Sequence, residues 1–168
     1  MQKPTIYLDT SLLSAYWYEG HDEIAAHRRL RTRDWWRSER IHFECHTSHF
    51  TENELADGVY PRQRECLAMC RRLKYCPVTS TVTNLWNQLR HAKIVPENKP
   101  IDGWQLALAI EHEIDYLLSW NLSHLANPDV QMRLGVFCAE WGLGVPWLVS
   151  PDSIPQVRFG QVIRRRKS

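Results

Sequence analysis

The sequence predicts an α/β fold, a three-layer α/β/α sandwich around a mainly parallel sheet of about five strands. Two observations predict it. Short, apolar, β-favouring runs alternate with longer stretches of helical periodicity along the whole chain, which is the pattern of parallel strands covered by helices on both faces. Several of the short runs also end on a polar or acidic residue followed at once by a helix signal, the strand–turn–helix junction on which open parallel sheets build their active crevices.

The elements follow in order. Thr5-Ile6-Tyr7-Leu8 reads as the first strand, closed by Asp9; Thr10-Ser11 then resembles a helix cap ahead of Leu12, Leu13 and Tyr16. A long Arg-rich helix is expected from about Asp22 to Arg40, with Ile24, Leu30 and Trp35 or Trp36 on its inward face. Ile41 to Ser48 is the second strand, and Thr51 to Ala56 opens a helix that carries Glu52 and Glu54 in or near its first turn. Arg62 to Lys74 is helical, Tyr75 to Thr79 is the third strand, and Ser80 to Ile94 is helical again. Pro96 and Pro100 bracket a loop before the apolar helix that starts at Asp102. Asp115 to Trp120 is the fourth strand and delivers Asn121; a helix over Val130 to Trp141 and a short strand, Pro146 to Val149, complete the series. Residues 1–150 make one domain, and residues 151–168, rich in Pro, Gln and Arg, form a basic C-terminal tail.

Composition narrows the function classes. No apolar run is long enough to span a bilayer, and Met1-Gln2-Lys3-Pro4 leads into a strand instead of a signal-peptide apolar segment, which suits a cytoplasmic protein. Five cysteines, an odd number without a secreted spacing, suit reduced thiols. Cys66, Cys70 and Cys76 offer three zinc ligands without a fourth, so packing is the better reading of them. A net charge of +2 selects no partner, but its distribution is uneven: Arg28, Arg29, Arg31, Arg33, Arg37 and Arg40 crowd one segment, Arg71, Arg72 and Lys74 another, and Arg164-Arg165-Arg166-Lys167 the tail. Clustered cations of this kind either contact phosphates or form solvated faces. Trp35, Trp36, Trp86 and Trp104 divide in the same way between base stacking and core or dimer packing.

Four residues carry candidate chemistry. Asp9 and Asn121 stand at strand ends, and Glu54 and Asp102 open helices after loops. A hard dication such as Mg²⁺ takes oxygen ligands, usually one or two carboxylates with water and substrate phosphate, and Asp9, Glu54 and Asp102 meet that need. Each acid also has a plain structural role, as a helix cap or as a first-turn acid favoured by the macrodipole, so spacing alone leaves the function undecided.

The motifs decide more. Tyr7-Leu8-Asp9-Thr10-Ser11 resembles the opening of PIN-domain proteins, in particular VapC-like toxins of type II toxin–antitoxin modules. Thr47-Ser48-His49-Phe50-Thr51-Glu52-Asn53-Glu54-Leu55 is similar to the family's second motif, in which a Glu follows a Ser by six residues. Asp102-Gly103-Trp104-Gln105-Leu106-Ala107-Leu108-Ala109 resembles the third, and the run from Asp115 through Ser119-Trp120-Asn121-Leu122-Ser123-His124 to Pro128 the fourth; order and spacing match over about residues 5–150. This resemblance implies a PIN-like fold and a Mg²⁺- or Mn²⁺-dependent endoribonuclease, with Asp9, Glu54 and Asp102 as metal-binding acids and Glu52 as a rival for Glu54. It implies metal-assisted phosphodiester hydrolysis leaving 5′-phosphate and 3′-hydroxyl ends, an RNA substrate, a cognate antitoxin and a homodimer. The fourth acidic position, commonly Asp in the family, is Asn121 here, which adds no charge for a second metal. His124, in the same motif, has a structural or capping role or contacts substrate. The competing readings are a PIN fold kept as an RNA- or protein-binding module with little or no activity, which Asn121 favours, and a phosphatase or DNA nuclease built on the same acids.

Overall fold

The computed structural model describes residues 3–154. Among these, five strands and seven α-helices alternate: β1 (Thr5–Leu8), α1 (Thr10–Trp17), α2 (Glu23–Ser38), β2 (Glu44–Thr47), α3 (His49–Asp57), α4 (Gln63–Cys70), β3 (Lys74–Tyr75), α5 (Ser80–His91), α6 (Pro100–Glu111), β4 (Tyr116–Leu118), α7 (Pro128–Glu140) and β5 (Trp147–Val149). All strand pairs are parallel, in the order β3-β2-β1-β4-β5. The three-layer α/β/α expectation therefore holds, with the sheet wholly parallel among the described residues.

Alternation along each strand splits the core in two. Tyr7, Leu117 and Leu148 point to the side packed by α5, α6 and α7. Ile6, Leu8, Leu118 and Val149 point to the opposite side, against Leu12 and Leu13 of α1, Trp35 of α2 and Cys66, Met69 and Cys70 of α4. Both clusters are fully desolvated, which is why the short strands read as continuous apolar runs.

Several boundaries and faces differ from the sequence expectation. Asp9, not Thr10-Ser11, caps α1: its side chain accepts from the Leu12 amide, and Thr10 and Ser11 are the helix's first residues. The third strand is shorter than Tyr75–Thr79, though the Cys76 amide still donates to the Thr47 carbonyl. On α2, Trp35 faces inward as expected, but Ile24 and Leu30 are 68% and 64% exposed, and Thr32 is buried beside Trp35 instead. Arg29 and Arg33 are half-buried, and their guanidinium groups reach the carbonyls of Tyr18 and Tyr16 at 2.9 Å.

The free edge of β5 is closed by a side chain. Gln131 of α7 accepts from the Leu148 amide at 2.7 Å and donates to the Pro146 carbonyl at 3.1 Å, taking the groups another strand would pair with. Residues 151–154, the start of the expected tail, dock on α2, where Arg31 donates to the Pro151 carbonyl and both Arg31 and His27 pair with Asp152. The remainder of that tail, with Arg164-Arg165-Arg166-Lys167, lies outside the described residues.

Candidate active site

The strand order reverses between β1 and β4: the chain proceeds from β1 outward to β2 and β3, then returns to lay β4 and β5 on the other side. Loops leaving the carboxyl ends of two such strands diverge and leave a crevice. Asp9 follows β1 directly, and Ser119, Trp120 and Asn121 follow β4.

Asp9 is buried and held from three directions. Oδ1 accepts from the Ser11 hydroxyl at 2.7 Å and the Leu12 amide at 3.1 Å, and Oδ2 accepts from the Ser119 hydroxyl at 2.5 Å. Ser119 Oγ in turn accepts from the Asn121 amide, and Asn121 Nδ2 donates to Asp102 Oδ2 at 3.2 Å. Asp9 and Asp102 are therefore joined through Ser119 and Asn121 at one edge of the sheet.

Glu54 arrives from a third element. The buried Tyr7 hydroxyl sits between Ser48 Oγ at 2.6 Å and Thr51 Oγ1 at 3.0 Å, which fixes the start of α3 over β1. Glu54 lies three residues after Thr51, on the same helical face, and accepts from Thr10 Oγ1 beside Asp9. Glu52 is two residues away and points elsewhere: Arg71 Nε donates to it at 2.6 Å and the Tyr75 hydroxyl at 2.8 Å, at the β3 end of the sheet. Those donors hold its carboxyl below the usual range. Of the two rivals, Glu54 joins Asp9. Should the chain cleave RNA as the motif resemblance implies, Glu52→Gln is expected to change that cleavage less than about three-fold, its exposed ion pair being worth at most about 1 kcal/mol of stability. Glu54→Gln should lower cleavage by at least tenfold; equal rates in the two variants, measured on one RNA, would contradict this.

Asp102, in the first turn of α6, is buried, and Asn121 orients its carboxylate. The Asn121 carbonyl is itself occupied, accepting from Ser123 Oγ and the His124 amide, both at 3.2 Å. Asn121 thus ties the loop after β4 and steers Asp102. The His124 backbone serves that loop, and its ring bears electrostatically on Asp102.

Burial dominates the electrostatics. It pushes the Asp9 carboxyl up to about 6, with Glu54 adding to the rise and the Ser119, Ser11 and Leu12 donors opposing it. Burial also raises Asp102; Glu54 acts in the same direction, while His124, Lys99 and Asn121 oppose it. Among the described residues none of the three acids forms an ion pair with Lys or Arg. Such a pocket is short of positive charge, and its donors are all hard oxygen, so the residues fit Mg²⁺ or Mn²⁺. Among the described residues no three His, Cys, Asp or Glu side chains are gathered closely enough to hold a metal ion by themselves.

Motif reading missed Tyr7, Thr10, Ser11 and Ser119 as site-builders. Hydroxyls placed at or beside strand ends were the available signal. The other candidates have structural duties. Cys66 and Cys70 lie on the inward face of α4, in the core, and burial pushes the Cys66 and Cys76 thiols up to about 11, away from the thiolate that zinc requires. Arg28 lies over Trp120, Arg40 over Trp36, and Arg29, Arg31 and Arg33 bind carbonyls, so most of the α2 arginines hold the fold together. Trp35 is buried. Trp86, Trp104 and Phe50 stack on one another, with centroids 4.6 and 4.9 Å apart.

No protein-family model matches the chain, and no curated protein matches it. Among solved structures it is similar to the crystal structure of VapC20 of Mycobacterium tuberculosis, a sarcin–ricin loop cleaving toxin. The two align with a TM-score of 0.52 and 18% identity, over 71% of this chain and 92% of that one. With its all-parallel five-stranded sheet and flanking helices, the chain shares the α/β fold of VapC20.

Proposed function

We propose that this chain is a Mg²⁺- or Mn²⁺-dependent endoribonuclease, the toxin of a type II toxin–antitoxin module, with residues 1–150 as the nuclease unit and residues 151–168 as a basic tail. The observation that supports the reading is the hydrogen-bond chain at the crevice where the strand order reverses, which links Asp9 to Asp102 through Ser119 and Asn121 and holds Glu54 on Thr10, the residue next to Asp9. VapC20, which shares the fold, is a toxin that cleaves the sarcin–ricin loop, and on that likeness RNA is the phosphodiester substrate; the resemblance of the four motifs adds an antitoxin and a second copy as partners and the cytoplasm as the setting. Among the described residues no helix is long and apolar enough to cross a membrane.

Asp9 and Asp102 would hold the ion, with Glu54 binding directly or through water. When bound, the ion supplies positive charge against the phosphate oxygens and acidity to the attacking water. The chain's own residues do the rest. Ser11, Ser119 and the Leu12 amide fix the Asp9 carboxylate, Asn121 fixes that of Asp102, and Thr10 holds Glu54, so the oxygens are oriented before substrate arrives.

The test is single-stranded RNA incubated with purified protein in Mg²⁺, Mn²⁺ or EDTA. We expect cleavage with either ion and none in EDTA; undiminished cleavage in EDTA contradicts the reading. The binding-module reading draws on Asn121, whose amide adds no charge and whose carbonyl is already engaged. It requires RNA binding without products under every condition.

A further inference from the structure

Six arginines crowd the segment from Arg28 to Arg40, and the folded chain puts most of them to structural use. Successive side chains on α2 turn by about 100° per residue. His27 and Arg31 lean to one side, where both pair with Asp152 past the end of β5. Arg29 and Arg33 lean to the other, onto the carbonyls of Tyr18 and Tyr16 at the end of α1. Arg28 lies between these two sides, on the inward line of the buried Thr32 and Trp35, four and seven residues further along the helix.

An inward-facing residue at that height meets the loop beyond β4 instead of the core. α2 leads back to the start of β2, so its N-terminal half stands at the carboxyl ends of the parallel strands, the edge that holds the acids. There the Arg28 guanidinium lies over the Trp120 indole, 5.6 Å from the ring centre. Trp120 is itself fixed at both ends. Its Nε1 donates to Thr32 Oγ1 at 2.8 Å, and its backbone amide donates to Ser11 Oγ at 2.8 Å, the hydroxyl that in turn donates to Asp9. In sequence Trp120 stands between Ser119, which binds Asp9, and Asn121, which binds Asp102. Arg28 is therefore mounted on the residue that joins the two halves of the acid site.

Stacking occupies the face of the guanidinium and leaves its N–H edge. Among the described residues that edge makes no hydrogen bond and no ion pair, although Arg28 is half-buried and three carboxylates gather at the same edge of the sheet. Its neighbours Arg29, Arg31 and Arg33 all spend their N–H groups on carbonyls or Asp152. A planar cation held by an aromatic face, with its donor fork open, is suited to a phosphate, which it can bind through two parallel hydrogen bonds. We propose that Arg28, mounted on Trp120, is a phosphate-binding site for the RNA strand and grips a phosphate next to the scissile one. This rests on the RNA-cleaving reading of the acids and adds the cation that lets a polyanion lie beside them. A contact to the backbone positions the strand and reads no sequence.

The test separates binding from cleavage. Fluorescence anisotropy of a labelled single-stranded oligoribonucleotide, in EDTA and across a salt series, gives Kd for the full chain and three variants, each checked for fold by circular dichroism. Arg28→Met keeps a long side chain over the indole and removes the charge. Arg28→Gln gives the same reading if Arg28→Met does not fold. Arg37→Gln removes an exposed arginine from the last turn of the same helix, at the end away from the crevice. Loss of the charge at Arg28 should weaken binding about tenfold at low salt and flatten the dependence of log Kd on log salt by about 0.7, the share of one phosphate on a single strand. Arg37→Gln should match the parent. Parent-like affinity and slope in the Arg28 variants overturns the site, and so does an equal loss in Arg37→Gln, which would make the effect one of overall charge. A parent that does not bind the RNA overturns it as well. Cleavage in Mg²⁺, assayed separately, tells the two readings apart: RNA binding that depends on Arg28 without any products would sink the nuclease reading and leave the phosphate site standing, and cleavage with parent-like binding in Arg28→Met would do the reverse.

Discussion

Asp9→Asn is expected to cleave RNA in Mg²⁺ more slowly by on the order of 10³-fold, and Asp102→Asn by a similar factor. The size follows from what a metal contributes to phosphoryl transfer, several kcal/mol of charge stabilisation at about 1.4 kcal/mol per factor of ten. Fold loss does not confound the result. Asparagine caps a helix about as well as aspartate, so the bond from the Leu12 amide survives in Asp9→Asn, and the Ser119 hydroxyl can reorient to accept from the new amide. In Asp102→Asn the change falls on the first turn of α6, where the Asn121 contact can be kept by an amide. Single-turnover rates on one RNA check both variants. Parent-like cleavage in both would remove the acids from the mechanism.

The same carboxylate gives an unusual stability profile. Most paired carboxylates here, Glu44, Glu52 and Asp152 among them, are held below their normal range and lose their contribution only under strongly acidic conditions. Asp9 goes the other way, from 3.8 unfolded to about 6 folded. The folded state therefore binds the proton more tightly. The stabilisation is complete below about pH 4 and is lost as pH rises through about 6. A shift of this size corresponds to on the order of 3 kcal/mol, and Asp102, also raised by burial, acts in the same sense. The metal-free protein should thus gain stability as pH falls from 7.5 to 5, and Asp9→Asn should be more stable than the parent at pH 7.5 with most of that slope gone. Denaturant midpoints in EDTA across this range provide the check, and parallel profiles for parent and variant would contradict it. Added Mg²⁺ should stabilise the parent at pH 7.5 by mass action and leave Asp9→Asn nearly unmoved. Activity and metal-free stability are then opposed at one residue, as expected where repelling acids are kept close for function.

The parts of this protein that follow local rules were readable from sequence. A strand closing on Asp9 and a strand leading to Asn121 follow from short-range pattern, as does a helix near Asp102, although it opens at Pro100, which was read as loop; the alternation of elements implied a parallel sheet. What could not be read depends on contacts between distant segments. Glu52 and Glu54 differ by two positions on one helix, and only the Tyr7 hydroxyl, set between Ser48 and Thr51, decides which of them meets Thr10. The inward face of α2 was read correctly at Trp35 and misread at Ile24 and Leu30, because Arg29 and Arg33 bond to the carbonyls of Tyr18 and Tyr16, contacts that a hydrophobic pattern scores as solvent-facing. Ser119 was passed over because a small hydroxyl at a strand end has no periodic signature, although it links Asp9 to Asn121.

The central claim is that Asp9 and Asp102 share one divalent ion. Crystals soaked in Mn²⁺ and measured at its absorption edge locate that ion directly. The account predicts an anomalous peak within direct ligand distance, about 2.2 Å, of a carboxylate oxygen of each residue, with Glu54 in contact or one water away and no peak in Asp9→Asn crystals. A fully soaked crystal with no manganese between Asp9 and Asp102 would contradict it.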